Sequence, residues 1–204
     1  HTYSTHQKTN QDMRDIVFAT NNAHKLRELR EIASGQLNVL SLSDIGCHED
    51  IAETADTIEG NALIKANYIK EHYGYDCFAD DTGLEVAALD GAPGVRSARY
   101  AGEDCNSENN IDLLLSNLEG KTDRSAQFRT CIALCQAGET HTFEGIVKGK
   151  ILSSRCGEGG FGYDSVFAPD EADGRSFAQM LPDEKNAISH RGRATRLLID
   201  FLLK

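Results

Sequence analysis

Two long strand-like segments separated by a tight turn constrain the fold of this chain more than any other feature. Residues 124–136 and 141–152 read as long strands, and Ala137, Gly138 and Glu139 join them as a hairpin turn. Ahead of this hairpin, short apolar runs alternate with stretches of helical spacing. A chain that is helix-rich early and hairpin-rich later implies a mixed sheet with helices packed on it. We therefore predict an α/β fold.

The separate elements follow from apolar periodicity and from the turn residues between them. Leu26, Leu29 and Ile32 show the spacing of a first helix. The last helix is predicted to be amphipathic, with four residues facing inward: Ala194, Leu197, Leu198 and Phe201. Outside the hairpin, the predicted strands are 16–19, 39–42, 76–79 and 84–89, and the predicted helices are 25–32, 61–72, 109–118 and 189–203.

The length of 204 residues suits one α/β domain, which can be two-lobed, with ample apolar residues for a core. We assign residues 13–204 to this single domain. Residues 1–12 are polar and show no pattern, so we interpret them as a disordered leader or an expression remnant, with Met13 as a plausible natural start.

Charge and hydropathy exclude two classes of partner. The net charge of −11 argues against a nucleic-acid polymer, because a protein that holds many phosphates needs a basic face. It leaves a small phosphorylated ligand open, since a few local cations and a divalent metal ion suffice to hold one. No apolar run approaches the roughly 20 residues that span a bilayer, so we expect no membrane partner.

Six cysteines occur without a C-x-x-C pair: Cys47, Cys77, Cys105, Cys131, Cys135 and Cys156. We interpret them as free thiols, mostly buried, rather than as disulfides or zinc ligands. Free thiols are typical of a reducing compartment, and we therefore expect a cytoplasmic protein.

The first candidate site is a polar turn between the first strand and the first helix. Its residues are Thr20, Asn21, Asn22, Ala23, His24 and Lys25. The free amides of a helix N-terminus bind anions, and the lysine adds positive charge. The alternative is that asparagine only caps the helix. The P-loop pattern is absent.

The second candidate site is the sequence Asp80-Asp81-Thr82-Gly83, directly after an apolar run. Ligands of α/β sheets bind at strand ends, and adjacent residues of an extended chain point to opposite sides. One carboxylate can therefore face a site while the other orients a helix or loop. The alternative is an Asx turn hinged at the glycine.

Three further clusters complete the set of candidates. The acidic stretch 49–59 contains carboxylates of the kind that, with substrate phosphates, hold magnesium, Glu53 among them; most of its charges are expected to be solvated. The glycine-rich loop 157–164 offers Phe161 and Tyr163 as flat faces for a base, unless it is only a flexible turn. Lys185, His190 and Arg191 gather around the start of the last helix. Cations there are unfavourable for helix stability, so binding of an anionic or carbonyl-bearing ligand explains them better than a structural role does.

Together and in this order, the motifs resemble those of the Ham1/RdgB family, the inosine triphosphate pyrophosphatases, from about residue 15 to 203. The matching segments are T-x-N-x-x-K at 20–25, D-D-[ST]-G at 80–83, G-A-P-G-x-x-[SA]-A-R-Y at 91–100, G-x-G-G-F-G-Y-D at 157–164 and K-x-x-[IL]-S-H-R-G at 185–192. Two segments depart from the pattern: Ala52-Glu53 stands where many relatives have paired glutamates, and Gly60 precedes Asn61-Ala62 in place of glutamate.

The resemblance implies an elongated mixed sheet flanked by helices, two lobes with the site in the cleft between them, and a homodimer. It implies Mg²⁺-dependent hydrolysis of ITP, dITP or XTP between the α and β phosphates, which cleanses the nucleotide pool. Asp81 would be the base and, with Glu53, a metal ligand, and Asp80 is a further candidate ligand. Residues 20–25 and Lys65 would bind the phosphate chain, and Thr82 would contact the substrate.

The resemblance also places the purine. The base would lie against Phe161, Gly162, Tyr163 and Asp164, with Lys185, His190 and Arg191 donating to the carbonyl at position 6 that adenine lacks. Two alternatives remain open from the residues alone. One is a pyrophosphatase for dUTP or for ordinary or modified triphosphates, and the other is a nucleotide-binding regulator without catalysis.

Overall fold

A computed structural model describes residues 13–204, which form a seven-stranded mixed sheet. The strands are β1 (Arg14–Phe18), β2 (Leu37–Leu40), β3 (Cys77–Val86), β4 (Pro93–Gly94), β5 (Ser125–Gln136), β6 (Glu139–Ile151) and β7 (Phe167–Pro169). They lie in the order β2-β1-β3-β5-β6-β7, with β4 paired to β3. The strand β1 runs parallel to β2 and β3, whereas the other pairs are antiparallel. This is the mixed α/β sheet expected from the sequence.

Five α-helices cover this sheet: α1 (Ala23–Ile32), α2 (Ile58–Tyr73), α3 (Ser107–Asn117), α4 (Pro182–Ile188) and α5 (His190–Leu202). Alternating side chains of β1 and of Ala19, which directly follows it, show how the layers form. Ile16 and Phe18 pack in one core with α1 and α5, while Val17 and Ala19 pack in another with α2. The period of two thus places helices on both faces of one end of the sheet.

A third core defines a second lobe. It joins α3, through Ile111 and Leu114, to Phe128, Val147 and Phe167 of the sheet. The strands β3, β5 and β6 have 10, 12 and 13 residues and run through both lobes. Each places side chains in or against more than one core; for β6 these are Phe143 in the first lobe and Val147 in the second. The elongated two-lobed architecture is confirmed.

The sequence suggested that a strand ends at the Asp80-Asp81-Thr82-Gly83 segment, but in the structure this segment lies inside a strand. The strand β3 is continuous to Val86, and Asp80 and Asp81 pair with Ile132 and Cys131 of β5. A Cβ on Gly83 would lie 2.6 Å from the carbonyl oxygen of Gly94. The glycine therefore permits close strand packing here. The strand end expected at Asp80, the alternative of an Asx turn and the separate strand 84–89 were all wrong.

Smaller differences concern the C-terminal third. Two short elements, α4 and β7, were not predicted, because seven and three residues carry too little periodicity. Leu197 was expected to face inward, but it is 49% exposed, and Ile199 takes the buried position instead. Across residues 13–204, no helix is long and apolar enough to cross a membrane. The six cysteines are free in the structure, and four of them are buried. The predicted leader, residues 1–12, lies outside the described residues.

Candidate active site

A cleft of about 820 Å³ lies between the lobes and collects side chains from all five predicted clusters. The predicted residues that line it are Thr20, Asn21, Asn22, Lys25, Glu53, Lys65, Asp81, Thr82, Phe161, Gly162, Tyr163, Asp164, Lys185, His190 and Arg191. Three predicted residues do not line it: Ala23, His24 and Asp80. The chain thus brings together residues from both ends of the sequence, while one carboxylate of the aspartate pair stays behind the wall.

The turn at the start of α1 is organised by helix capping. The side-chain oxygen of Asn22 accepts hydrogen bonds from the backbone N–H groups of His24 (3.0 Å) and Lys25 (3.2 Å). The Asn21 amide donates to Asp50 (3.1 Å), which ties the turn to the acidic loop. The capping interpretation therefore holds. Because the cap already uses two of the free amides, anion binding at this helix depends chiefly on Lys25.

Asp80 is completely buried and lies among cations. Its carboxylate oxygens are 3.4 Å from Lys25 Nζ and 3.4 Å from Arg191 Nε, and Thr82 Oγ1 donates to it at 3.4 Å. Burial by itself would raise the pKa of Asp80, but the charges of Lys25, Arg191 and Lys65 outweigh it and lower the pKa to about 2. Asp80 is thus an ionised anchor that holds two cations in place.

Asp81, the next residue, lies in the opposite environment. It points to the other face of β3 and into the cleft, where Asn61 of α2 donates to its carboxylate at 3.1 Å. Burial raises the pKa of Asp81 to about 6, against the lowering effect of Lys25 and Lys65. The two carboxylates therefore do not converge on one point. A carboxylate whose pKa lies near neutrality can accept a proton from water.

Lys65 and Glu53 form a charged pair beside Asp81. Lys65 Nζ lies 2.7 Å from Glu53 Oε1 and donates to the carbonyl oxygen of Asp80 at 2.5 Å. Burial disfavours the charged lysine, yet the nearby Asp80, Glu53 and Asp81 outweigh it and raise its pKa. Glu53 is 39% exposed at its side chain, so it can leave the lysine for another cation.

The oxygen donors of the cleft fit a magnesium ion whose coordination shell is completed by the substrate. Within residues 13–204, no group of three or more His, Cys, Asp or Glu side chains is arranged to hold a metal ion. Magnesium, however, is commonly bound by one or two carboxylates together with substrate phosphates and water. Asp81 and Glu53 supply two such oxygen donors on the cleft wall.

The glycine-rich loop is fixed by Asp164. The carboxylate of this residue accepts from the Phe161 backbone N–H (3.0 Å) and from Lys185 Nζ (2.6 Å). Lys185 Nζ also lies 4.8 Å from the centre of the Phe161 ring. Tyr163 is only 7% exposed, and its hydroxyl donates to the carbonyl oxygen of Ser97 at 2.6 Å. Tyr163 is therefore an anchor of the loop, which leaves Phe161 as its aromatic platform.

Glu28 of α1 is a residue that the sequence analysis missed. Its carboxylate accepts from Lys185 Nζ at 2.9 Å and from Arg191 Nη1 at 2.7 Å. Burial would raise the pKa of Glu28, but Arg191 and Lys185 lower it. Glu28 lies one turn after Lys25, which places it on the same helix face as that residue. This spacing was the only signal available, because its partners are more than 150 residues away.

Two histidines meet the site in different ways. His190 is buried and stacks on Phe128 with ring centroids 4.5 Å apart. Burial, reinforced by Arg191 and Lys185, holds its pKa well below the usual range, so the ring is neutral. His24 lies outside the cleft wall and stacks on Phe161 with centroids 5.0 Å apart. His24 was predicted as part of a phosphate-binding turn, and it contacts the aromatic platform instead.

The fold and the site define a two-lobed α/β protein whose cleft combines cations with carboxylates, among them Asp81 and Asp164, whose pKa burial raises. A model of the Ham1 family matches residues 16–201. A dITP/XTP pyrophosphatase of Flavobacterium psychrophilum is 57% identical over 91% of this chain and 97% of its own length, and one of Porphyromonas gingivalis is 54% identical over 94% and 98%. The chain belongs to the Ham1 family.

Solved structures agree with this assignment. A HAM1 protein from Coxiella burnetii superimposes with a TM-score of 0.84 at 38% identity, covering 94% of this chain and 99% of its own. The Ham1 protein of Staphylococcus aureus gives a TM-score of 0.83 at 40% identity, covering 93% and 98%. The similarity therefore extends over both lobes and the cleft between them.

Proposed function

We propose that this protein hydrolyses the non-standard purine triphosphates ITP, dITP and XTP to the nucleoside monophosphate and pyrophosphate, and so removes them from the nucleotide pool. Relatives that are 52–57% identical over more than nine-tenths of the chain are named dITP/XTP pyrophosphatases. The observation in the structure that carries the proposal is the pair of consecutive carboxylates. Asp80 is an ionised anchor for cations, and Asp81 faces the cleft as a base.

The charged residues of the cleft then have physical roles. Asp81 takes a proton from the water that attacks phosphorus, and the hydrogen bond from Asn61 keeps its carboxylate oriented. Lys25 and Lys65 face the phosphate chain and offset the negative charge that the triphosphate brings. Asp80 holds Lys25 and Arg191 from behind, so these cations need no reorganisation when the substrate binds.

We propose Mg²⁺ as the metal ion, with Asp81 and Glu53 as its protein ligands. When bound, the ion neutralises triphosphate charge and orients the phosphates. Asp80 is left out of this set, because its carboxylate is buried behind the cleft wall and already contacts two cations. Glu53 must exchange Lys65 for the ion, and the released lysine becomes free to contact a phosphate oxygen.

We place the purine against Phe161, at the end of the cleft near Lys185 and His190. A base with a carbonyl at position 6 meets donors there, whereas the amine of adenine would face a donor and leave it unpaired. Rejection of this kind is strong when buried polar groups lose their partners. His190 is suited to the role because it is buried and neutral, so its ring carries one N–H donor and one acceptor nitrogen, and its Nδ1 has no partner among the described residues.

Two further properties belong to the proposal. We propose a homodimer, as the resemblance to the family implies, and sedimentation of the purified protein tests it. We propose a cytoplasmic location, which the six free cysteines support, because structural disulfides are typical of oxidising compartments.

The test is a pyrophosphate-release assay over a panel of ITP, dITP, XTP, ATP, GTP and dUTP with Mg²⁺, and with EDTA as the metal-free control. We expect turnover of the first three to exceed that of the others and to disappear with EDTA. Asp112→Asn, which removes an exposed carboxylate on α3, is the matched control for Asp81→Asn. Equal turnover of ATP, a preference for dUTP, or release of orthophosphate in place of pyrophosphate would contradict the proposal.

A further inference from the structure

Five lysine and arginine side chains line the cleft, and four of them are neutralised by carboxylates of the protein. Lys25 pairs with Asp80, Lys65 with Glu53, Lys185 with Glu28 and Asp164, and Arg191 with Glu28 and Asp80. Arg99 is the fifth. Among residues 13–204, no carboxylate lies within salt-bridge distance of it.

The guanidinium of Arg99 is also short of hydrogen bonds. Its Nε atom is buried and has no partner in the described part of the chain. A buried N–H group without an acceptor is destabilising, and more so when the group is charged. Such a group is rare in folded proteins and calls for an explanation, of which a missing ligand is one.

The backbone that carries Arg99 is held rigidly. A loose segment is therefore not the reason why its side chain lacks partners. Ser97 accepts from the Leu84 N–H (2.8 Å) and donates to the carbonyl oxygen of Gly94 (2.6 Å). Asn110 of α3 donates to the carbonyl oxygen of Ala98 at 2.9 Å. The short helical turn 97–99 is therefore fixed against β3 and α3, and it presents Arg99 to the cleft.

We propose that Arg99 is an additional phosphate-binding residue, whose guanidinium takes an oxygen of the nucleotide's phosphate chain. This inference rests on the proposed function. A planar guanidinium fork matches the geometry of phosphate, and charge-assisted hydrogen bonds of this type are the strong ones. Lys25, Lys185 and Arg191 share their charge with carboxylates, and Lys65 does so until Glu53 is released, whereas Arg99 contributes a full uncompensated positive charge to an anion in the cleft.

The test compares Arg99→Met and Arg99→Lys with Arg96→Met. Arg96 lies three residues earlier, is exposed and does not line the cleft, so it controls for loss of one positive charge nearby. Binding of pyrophosphate and of IMP is measured by calorimetry in the presence of Mg²⁺. We expect Arg99→Met to raise the Kd of at least one of them about ten- to hundredfold, Arg99→Lys to raise it less, and Arg96→Met to leave both unchanged.

The two ligands identify the phosphate concerned. Weaker pyrophosphate binding assigns Arg99 to the leaving phosphates, and weaker IMP binding assigns it to the phosphate that stays on the nucleoside. A contact to phosphate also lowers kcat/KM for ITP and ATP by the same factor. Unchanged Kd values for both ligands, or a change in the ratio of kcat/KM for ITP to that for ATP, would overturn the proposal.

Two measurements keep the outcome interpretable. The melting temperature of Arg99→Met should match that of the parent, since the side chain of Arg99 makes no hydrogen bond or ion pair with the described residues. A marked drop would mean that the side chain is structural and would overturn the proposal. Pyrophosphate release from ITP by the parent is measured first. Without it the proposed function fails, whereas an active parent with unaffected Arg99 variants refutes only the role of Arg99.

Discussion

Replacing Asp81 by asparagine is expected to abolish turnover and, at the same time, to stabilise the fold. The activity should fall because asparagine cannot accept a proton from water, and loss of a general base removes about 10²- to 10⁴-fold of rate. The stability should rise because the parent protein holds an ionised carboxylate in a place that disfavours its charge. Asparagine has nearly the same shape and carries no charge.

The size of the stability effect follows from the pKa. Burial raises the pKa of Asp81 from 3.8 to about 6, and each pKa unit corresponds to about 1.4 kcal/mol. Above pH 6 the folded protein therefore loses on the order of 3 kcal/mol relative to a neutral side chain. Below about pH 4 the carboxyl is protonated in both folded and unfolded states, and the penalty disappears. The gain from Asp81→Asn should thus grow between these two pH values and then stay constant.

Asp80→Asn is the matched control, with the opposite sign. The cations around Asp80 lower its pKa from 3.8 to about 2. Its ionised form therefore stabilises the fold at every pH above 3.8, the pKa of this carboxyl in the unfolded chain. Removing that charge should cost about 2.5 kcal/mol at neutral pH, and somewhat more because Lys25 and Arg191 lose a partner. Two neighbouring and chemically identical substitutions should therefore shift stability in opposite directions.

Urea unfolding followed by circular dichroism, in EDTA and at pH 4, 5, 6 and 7, measures the free energy of unfolding for the parent and both variants. EDTA is needed because a bound cation would favour the ionised form of Asp81. The reasoning is refuted if Asp81→Asn is less stable than the parent at pH 7, or if its advantage does not change with pH. Turnover of Asp81→Asn near the parent rate with Mg²⁺ would refute the assignment of the base.

The parts of the fold that local pattern determines could be predicted from the sequence. The strand β1 and the hairpin β5–β6 are defined by residues close together in the chain and by a two-residue turn, Ala137-Gly138. The path of β3 could not be predicted, because polar residues inside a strand look like a turn. What keeps this strand extended is supplied from a distance: Asn61, Lys25 and Arg191 satisfy the two aspartates.

The site shows the same division. Residue types and their order indicated the clusters that line the cleft, and strand alternation correctly separated Asp80 from Asp81. The pairing among charges could not be inferred, because it depends on how α1, α4 and α5 meet. Glu28 joins Lys185 and Arg191 across 157 and 163 residues, and no local spacing records such a contact.

Three further predictions concern residues at the base end of the cleft. His24→Ala should raise KM for ITP about two- to tenfold, because an aromatic contact with Phe161 is lost. His72→Ala, which removes a stacked histidine outside the cleft, should leave KM unchanged. His190 stays neutral in the folded protein, whereas in the unfolded chain it takes up a proton below its ordinary pKa of 6.5. The free energy of unfolding therefore decreases as the pH is lowered through 6.5. Urea unfolding of the parent should show about 1.4 kcal/mol of additional loss between pH 7.5 and 5.5 relative to His190→Gln, and equal losses would contradict a neutral ring. Arg191→Lys keeps the positive charge beside its two carboxylate partners but lacks the planar fork, so it isolates the geometry of the guanidinium. If that fork reads the carbonyl at position 6, the ratio of kcat/KM for ITP to that for ATP should fall by roughly tenfold or more. If the arginine only maintains the charge network, both substrates should suffer equally, and an unchanged ratio would refute its role in reading the base.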